Sequence, residues 1–226
     1  MGSVIRFQFT KGPEVRYLSH LDLVRTMERA GRRAHLPIAF SQGFTARPLM
    51  SFSFPLPVGV LSEAEYGDFA FAADLGPREF VEEYNRHLPR GLKVLKAERL
   101  PEKTASLQSI VNAASWKIFL PGASAEEIEE RWQHLQTVDS LVVNRETKRG
   151  TREINIRPFL YDVSHIENTP AGTVIDCLCG LGTETNIRME ELGVLLGFSH
   201  LEATITRTGQ FNRVGNSCFP PLGNRG

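Results

Sequence analysis

The chain has 226 residues, of which 41% are hydrophobic and 23% charged, enough for a buried core in one large or two small domains. Its formal net charge is zero, so no whole-protein field favours a polyanionic partner. A run of about 18 apolar residues, as in a membrane span, and the apolar stretch of about 7–15 residues of a secretory signal are both absent. We therefore expect a soluble cytoplasmic protein without membrane contact.

The first half of the sequence predicts the element order β-α-β-β-α-β. Residues 4–10 alternate between polar and apolar side chains, which is typical of a half-buried strand. Ser19 and Asp22 form an acidic version of the capping box and predict a helix over 19–34. Gly76 followed by proline opens a second helix. The remaining predicted strands are 49–54, 65–72 and 92–99.

A polar linker at 102–109 is followed by the order β-α-β-β-β-α-β. Ser124 and Glu127 form a capping box before a helix whose apolar stripe contains Ile128, Trp132 and Leu135. Asn186 is the predicted N-cap of a last helix. The predicted strands are 114–120, 140–146, 153–161, 173–179 and 203–208.

These two orders predict an α+β fold built from two consecutive ferredoxin-like halves of βαββαβ type with antiparallel sheets. The first half covers residues 1–101, and the second covers 110–213 with one added strand. The tail, 214–226, is rich in glycine, proline and asparagine and is expected to be irregular.

The three cysteines are too few, and odd in number, for a disulfide framework. Cys177 and Cys179 lie two residues apart in a predicted strand, so both side chains point to one face, where they act as small buried hydrophobes. The alternative is a thiolate metal site, but the second cysteine pair that is usual for zinc is missing. We expect no metal and no other cofactor.

Basic residues are concentrated near the start of the chain. Residues 1–48 carry eight basic side chains against three acidic ones, whereas residues 61–90 carry three against seven. At 100° per residue, four arginines of the first predicted helix share one face, opposite its apolar stripe: Arg25, Arg29, Arg32 and Arg33. Guanidinium groups bind phosphate or carboxylate through paired hydrogen bonds. The alternative is a solvated outer face with local ion pairs.

The segment 41–48 follows this helix as a long predicted loop. Gln42, Gly43, Phe44 and Arg47 combine a flexible backbone, an aromatic ring and a further cation. Backbone N–H groups beside a glycine can hold an anion, and an exposed Phe44 can stack on a base. Alternatively, Phe44 covers the core beneath the loop, and Gly43 only provides a positive φ.

Ser19, His20 and Asp22 lie close together, which suggests a catalytic group at first sight. Capping accounts for Ser19 and Asp22, and adjacent side chains on a helix do not face each other. His20 at a helix start can still contact phosphate or act as a general acid or base. It is a weak catalytic candidate.

A second basic cluster surrounds Gly150, where residues 144–151 predict a hairpin tip. Its members are Arg145, Lys148, Arg149, Arg152 and Arg157. They form either a charged turn that protects strand edges or an extension of the basic surface of the first half. The complete set of candidate RNA- or anion-binding residues is Arg16, His20, Arg25, Arg29, Arg32, Arg33, Gln42, Gly43, Phe44, Arg47, Arg149 and Arg152.

Several segments resemble the radical-SAM-associated uncharacterised protein family of bacteria. The resemblance extends over nearly the whole chain, and its first block, 16–23, is the most specific. The other matching segments are 28–30, 32–34, 36–37, 41–44, 47–48, 51–52, 55–59, 152–154, 156–158 and 205–209. The family resemblance implies a bacterial cytoplasmic protein whose partner is a radical SAM enzyme. The cysteine motif of a conventional radical SAM catalyst is absent from this chain, and the resemblance supplies no catalytic residues.

Three functional hypotheses follow. The leading one is a noncatalytic module that recognises tRNA or rRNA for the partner radical SAM enzyme. The second is a metal-independent ribonuclease with His20 as acid or base, and the third is a protein-only adaptor of the radical SAM subunit.

Overall fold

A computed structural model of the chain describes residues 2–147 and 150–223. The protein is a mixed α+β fold, as predicted, and five α-helices lie within those residues. It divides into two units: Met1–Val111 together with Gly209–Gly226, and Asn112–Thr208.

The first unit contains β1 (Ser3–Lys11), α1 (His20–Arg33), β2 (Met50–Phe52), β3 (Leu61–Phe71), α2 (Pro77–His87), β4 (Leu92–Arg99) and the short α3 (Leu107–Ile110). Strand β1 pairs antiparallel with both β4 and β3, and β2 pairs antiparallel with β3. The strand order is therefore β4-β1-β3-β2.

Helix α1 begins where the sequence predicts it. The Ser19 hydroxyl accepts a hydrogen bond from the Asp22 N–H (3.2 Å) and donates one to the Asp22 carboxylate (2.7 Å), so the N-cap is confirmed. Leu23, Met27 and Ala30 are buried, as their spacing predicts.

The core of the first unit lies between these helices and the sheet and is mainly aromatic. Phe7, Phe9, Phe69, Phe80 and Tyr84 are each at most 1% exposed. A fully buried side chain of this size contributes about 1.5–3 kcal/mol. The Tyr84 hydroxyl donates to the carbonyl of Met27 (2.8 Å), which joins α2 to α1, and burial raises the pKa of Tyr84.

The second unit contains β5 (Ala113–Pro121), α4 (Ala125–Thr137), β6 (Val142–Thr147), β7 (Gly150–Asn155), β8 (Leu160–Thr169), β9 (Gly172–Gly180) and α5 (Met189–Leu196). Strand β9 pairs antiparallel with β5 and β8, and β6 pairs with β7 as a hairpin. Residues 204–208 of β10 (Thr204–Val214) belong to this unit and lie beside β5, where Ser115 and Thr208 are hydrogen-bonded (2.8 Å).

The strand predicted at 153–161 is wrong, because the chain breaks there into two strands. Pro158 lies in a 3-10 turn at Arg157–Phe159 that separates β7 from β8. Proline has no N–H to donate to a strand ladder, so pairing stops at this point. Most of strand β8, which runs over Leu160–Thr169, lies beyond the predicted strand and was not indicated by the alternation of side chains.

One helix start, one capping box and the chain end also differ from prediction. The N-cap of α5 is Arg188 rather than Asn186, because the Glu191 carboxylate accepts the Arg188 N–H (2.8 Å). Ser124 is the N-cap of α4, as predicted, but its hydroxyl donates to Glu126 (2.5 Å) and makes no capping bond to the backbone, so the predicted capping box with Glu127 is wrong. In the expected irregular tail, β11 (Ser217–Phe219) pairs with β10, since a positive φ at Gly215 allows the turn between them.

Candidate nucleic-acid interface

The four arginines of α1 form one solvent-exposed surface, which we call the arginine face: Arg25, Arg29, Arg32 and Arg33. The opposite side of the helix is fixed by Leu23, Met27 and Ala30 against the aromatic core. Because one side of the helix is buried, the arginines are held in solvent by the packing of the core.

Most of the arginine face is not neutralised by acidic side chains. Arg25 forms an ion pair with Asp22 at 3.4 Å, but both side chains are more than half exposed, and such pairs contribute at most about 1 kcal/mol. Arg33 donates to the main-chain carbonyl of His87 (2.7 Å), which carries no net charge. Arg29 has no ion-pair partner within the described part of the chain. The face therefore keeps its positive charge.

Arg32 connects the arginine face to the following loop. Its guanidinium carbon lies 5.1 Å from the centroid of the Phe40 ring, which is a cation–π contact. Phe40 in turn pairs with Pro48 in an isolated antiparallel bridge. Phe40 and Pro48 thus flank the loop on its two sides, and Phe40 lies against the last turn of α1.

Ser41 and Arg47 close the loop, which we call the 41–47 loop. The Ser41 N–H donates to the Arg47 carbonyl (2.8 Å), and the Arg47 N–H donates to the Ser41 hydroxyl (3.1 Å). Gly43 has φ of +136°, a conformation that disfavours other residues. The positive φ that the sequence suggested for this glycine is therefore present.

The tip of the 41–47 loop is fully in solvent. Phe44 is completely exposed, so the alternative that it covers the core is wrong. Gln42 and Arg47 are also exposed. An aromatic ring and a cation of this loop thus lie in solvent beside the end of the arginine face, which suits stacking on a base and contact with a phosphate.

Arg16 and His20 lie at the other end of α1. His20 lies twelve positions before Arg32 on the helix, which corresponds to about 18 Å along the axis. The Arg16 side chain donates to the Gly59 carbonyl (3.1 Å), and its guanidinium lies over the Tyr17 ring. The His20 ring meets Phe52 edge-on at 6.0 Å and lines a cavity of about 280 Å³. The structure does not bring these two residues to the 41–47 loop.

The basic cluster around Gly150 separates into different environments in the second unit. Arg152 is exposed on β7, opposite Arg145 in the hairpin register. Arg145 is half-buried and ion-paired with Glu191 (2.6 Å), so its predicted place on a basic rim is wrong. Arg157 donates to the carbonyls of Leu135 and Leu160 and packs over Trp132, which makes it structural. Lys148 and Arg149 lie outside the described residues.

The two neighbouring cysteines are interior, as predicted. The sulfurs of Cys177 and Cys179 are 4.0 Å apart and buried. The Cys179 thiol donates a hydrogen bond to Cys177, and this bond, together with burial, raises the pKa of Cys179. Residues 2–147 and 150–223 contain no group of three or more metal-binding side chains.

Phe40 is a residue of this surface that sequence reasoning missed. It supports the guanidinium of Arg32 and pairs with the far end of the loop. One feature of the sequence could have indicated this role: Phe40 directly precedes Ser41, and Pro48 directly follows Arg47. This placement marks the two sides of a closed loop.

The fold and this surface define an α+β protein with an exposed arginine-rich helix and an aromatic loop. The chain belongs to a family of uncharacterised proteins conserved in bacteria, DUF2344, whose model matches residues 5–189. The match includes the arginine face, the 41–47 loop and Arg152. A comparison with curated proteins found no match. Across the described residues, every helix is too short or too polar to cross a membrane.

Proposed function

We propose that this protein is a cytoplasmic, noncatalytic RNA-recognition module that presents a tRNA or rRNA to a partner radical SAM enzyme. RNA binding is supported mainly by the contact between Arg32 and Phe40. Through this contact the arginine face, which is not neutralised, lies next to the loop with the exposed Phe44 and Arg47. In this surface arginines hold phosphates, and Phe44 stacks on an unpaired base. The radical SAM partner rests on the family resemblance of the first block of the sequence.

The charge balance supports a polyanion over a protein as the ligand of this surface. Arg29 and Arg47 are exposed and have no described acidic partner, so each can form a bidentate pair with a phosphate. The repeated phosphates of a nucleic-acid backbone can occupy several such arginines at once.

RNA binding can be measured by filter retention of total cellular RNA and of purified tRNA. The double variant Arg29→Gln/Arg47→Gln is expected to bind at least tenfold more weakly at about 0.1 M salt, because two phosphate contacts are lost. A matched control is Arg78→Gln/Arg90→Gln in the same unit, since both side chains are almost fully exposed and the change in charge is the same. Equal weakening in both doubles would contradict a defined site.

Co-purification from cells and an assay for RNA cleavage distinguish the proposed function from the two alternatives. The proposal predicts a radical SAM enzyme and RNA in one complex recovered from cells. A complex without nucleic acid would favour the protein-only adaptor. RNA cleavage by the purified protein that is abolished in His20→Ala would favour the ribonuclease, whose supporting observation is the position of His20 in a cavity with Ser51 and Ser106.

We also propose that both units are ferredoxin-like. The first unit has the strand order β4-β1-β3-β2, and the second has β10-β5-β9-β8, with the β6–β7 hairpin as an insertion. These orders, together with a helix after the first strand and before the last one of each unit, are what the ferredoxin-like arrangement requires. An experimental structure with a different strand order would refute it.

A further inference from the structure

From the structure we infer that a cavity next to the 41–47 loop binds a nucleobase that carries an exocyclic amino group; as a subsite, this inference rests on the proposed RNA-binding function. The cavity has a volume of about 420 Å³, within the range of about 300–1,000 Å³ of small-molecule sites. It begins at Pro48 and Leu49, which directly follow Arg47 in the chain. A nucleotide whose phosphate contacts Arg47 therefore has this cavity as its neighbour.

One wall of the cavity is built on the sheet of the first unit. Val4 on β1 and Ala70 on β3 are register partners, and so are Ser51 on β2 and Asp68 on β3. The apolar members can pack against the face of a ring, and Ser51 provides a hydroxyl group in the same wall. The strand pairing fixes this wall before any ligand binds.

The other wall is the segment 100–106, which is fixed to the same sheet by two hydrogen bonds. The Leu100 N–H donates to the Val4 carbonyl (2.8 Å), and the buried Arg6 guanidinium donates to the Ala105 carbonyl (2.9 Å). Leu100 and Pro101 line the cavity with apolar atoms, and Glu102, Thr104 and Ser106 line it with oxygen acceptors.

The charges of the lining select against a phosphate and for an amino group. Among the described residues that line the cavity none is cationic, and two are carboxylates. Asp68 is neutralised by Arg6, whose guanidinium contacts it at 2.8 and 2.9 Å. Glu102 is exposed and has no described ion-pair partner, so its carboxylate is available to accept from a ligand. Acidic side chains accept from the amino groups of bases, as on cytosine. A phosphate would be repelled by the same carboxylate.

The test uses nucleosides, which carry no phosphate, and the methionine methyl groups as reporters. The protein has four methionines, and Met50 lines the cavity. In protein labelled with ¹³C at the methionine methyl groups, cytidine, guanosine and adenosine are expected to shift the Met50 signal, whereas uridine, which has no amino group, leaves it unmoved. Met50→Leu identifies the signal. An equal response to uridine, or no response to any nucleoside, would overturn the inference.

The role of the carboxylate is tested by substitution. Glu102→Gln is expected to weaken cytidine binding about tenfold or more, because a hydrogen bond to a charged acceptor is replaced by one to a neutral acceptor. Glu63→Gln is the matched control, since Glu63 is exposed in the same unit and does not line the cavity. Unchanged binding in Glu102→Gln would overturn the assignment of this carboxylate.

Failure of this inference and failure of the proposed function give different results. An unmoved Met50 signal in protein that still binds RNA through Arg29 and Arg47 overturns the base site alone. Absence of RNA binding by the unsubstituted protein overturns the proposed function, whatever the nucleosides do.

Discussion

The guanidinium carbon of Arg32 lies 5.1 Å from the centre of the Phe40 ring, so the last turn of α1 is attached to the start of the 41–47 loop. Arg32 is an exposed cation of the helix, and Phe40 is the aromatic residue directly before the 41–47 loop. Their contact converts two segments that are separate in the sequence into one surface. Stability of the loop and RNA binding should therefore depend on this pair.

Double-mutant analysis tests the coupling of Arg32 and Phe40. An exposed cation–π contact contributes about 0.5–1 kcal/mol, so Arg32→Gln and Phe40→Leu should each lower the free energy of unfolding by a similar small amount. The double variant should lose less than the sum of both, as measured in urea. Strict additivity would contradict the contact.

Hydrogen exchange of the Ser41 amide tests the same contact in the loop. The Ser41 N–H donates to the Arg47 carbonyl, and its exchange should accelerate in Phe40→Leu.

The salt dependence of RNA binding should report individual arginines. For a single-stranded RNA, each lost phosphate contact reduces the slope of log K against log salt by about 0.7. Arg29→Gln is expected to show this reduction, and Arg78→Gln is expected to keep the slope of the unsubstituted protein. Binding that does not change between low and high salt would refute the arginine face as a phosphate-binding surface.

Phe44 should affect binding without affecting stability. Because its ring is fully exposed, Phe44→Leu is expected to leave the melting temperature unchanged. The variant should lose about 1–3 kcal/mol of binding free energy for RNA with unpaired bases, the usual value of base–aromatic stacking. Phe44→Trp should retain affinity, and its indole fluorescence should be quenched on binding. Unchanged affinity of Phe44→Leu would show that the ring does not stack.

Arg145 and Arg152 face each other across the β6–β7 hairpin and form a matched pair of variants. Arg145→Met removes the ion pair of the buried Glu191 carboxylate, which then keeps the hydrogen bond from the Arg188 N–H, and is expected to cost about 3 kcal/mol of unfolding free energy. Arg152→Met, at an exposed position, should stay within about 0.5 kcal/mol. Chemical denaturation measures both, and equal effects would contradict a stabilising ion pair between Arg145 and Glu191.

Thiol reactivity should distinguish the three cysteines. Cys177 and Cys179 are buried. Because the pKa of Cys179 is raised, this residue stays protonated, and therefore unreactive, at neutral pH. Cys218 is only half-buried. Titration with a disulfide reagent at pH 8 is expected to modify one thiol per native chain and all three in denaturant. Rapid modification of Cys177 or Cys179 in the native protein would contradict an interior position.

The local elements followed from the sequence wherever one short-range rule governs them. The start of α1 was predictable because Ser19 and Asp22 satisfy the backbone N–H groups with their own side chains. Its buried stripe followed from the helical period, and the interior position of Cys177 and Cys179 followed from the strand period. Strand β8 was not predictable from periodicity, because its register against β9 shifts twice, at Leu160/Asp162 and at Val163/His165, and each shift interrupts the alternation of side chains.

The arginine face was likewise determined by the sequence, since 100° per residue is a property of any α-helix. Which arginines remain available was decided only by tertiary structure. Arg32 contacts Phe40, Arg145 is ion-paired with Glu191, and Arg157 packs on Trp132. These partners lie between 8 and 46 positions away in the chain. Spacing rules describe neighbours on one element, whereas ion pairing and burial depend on which elements the fold brings together.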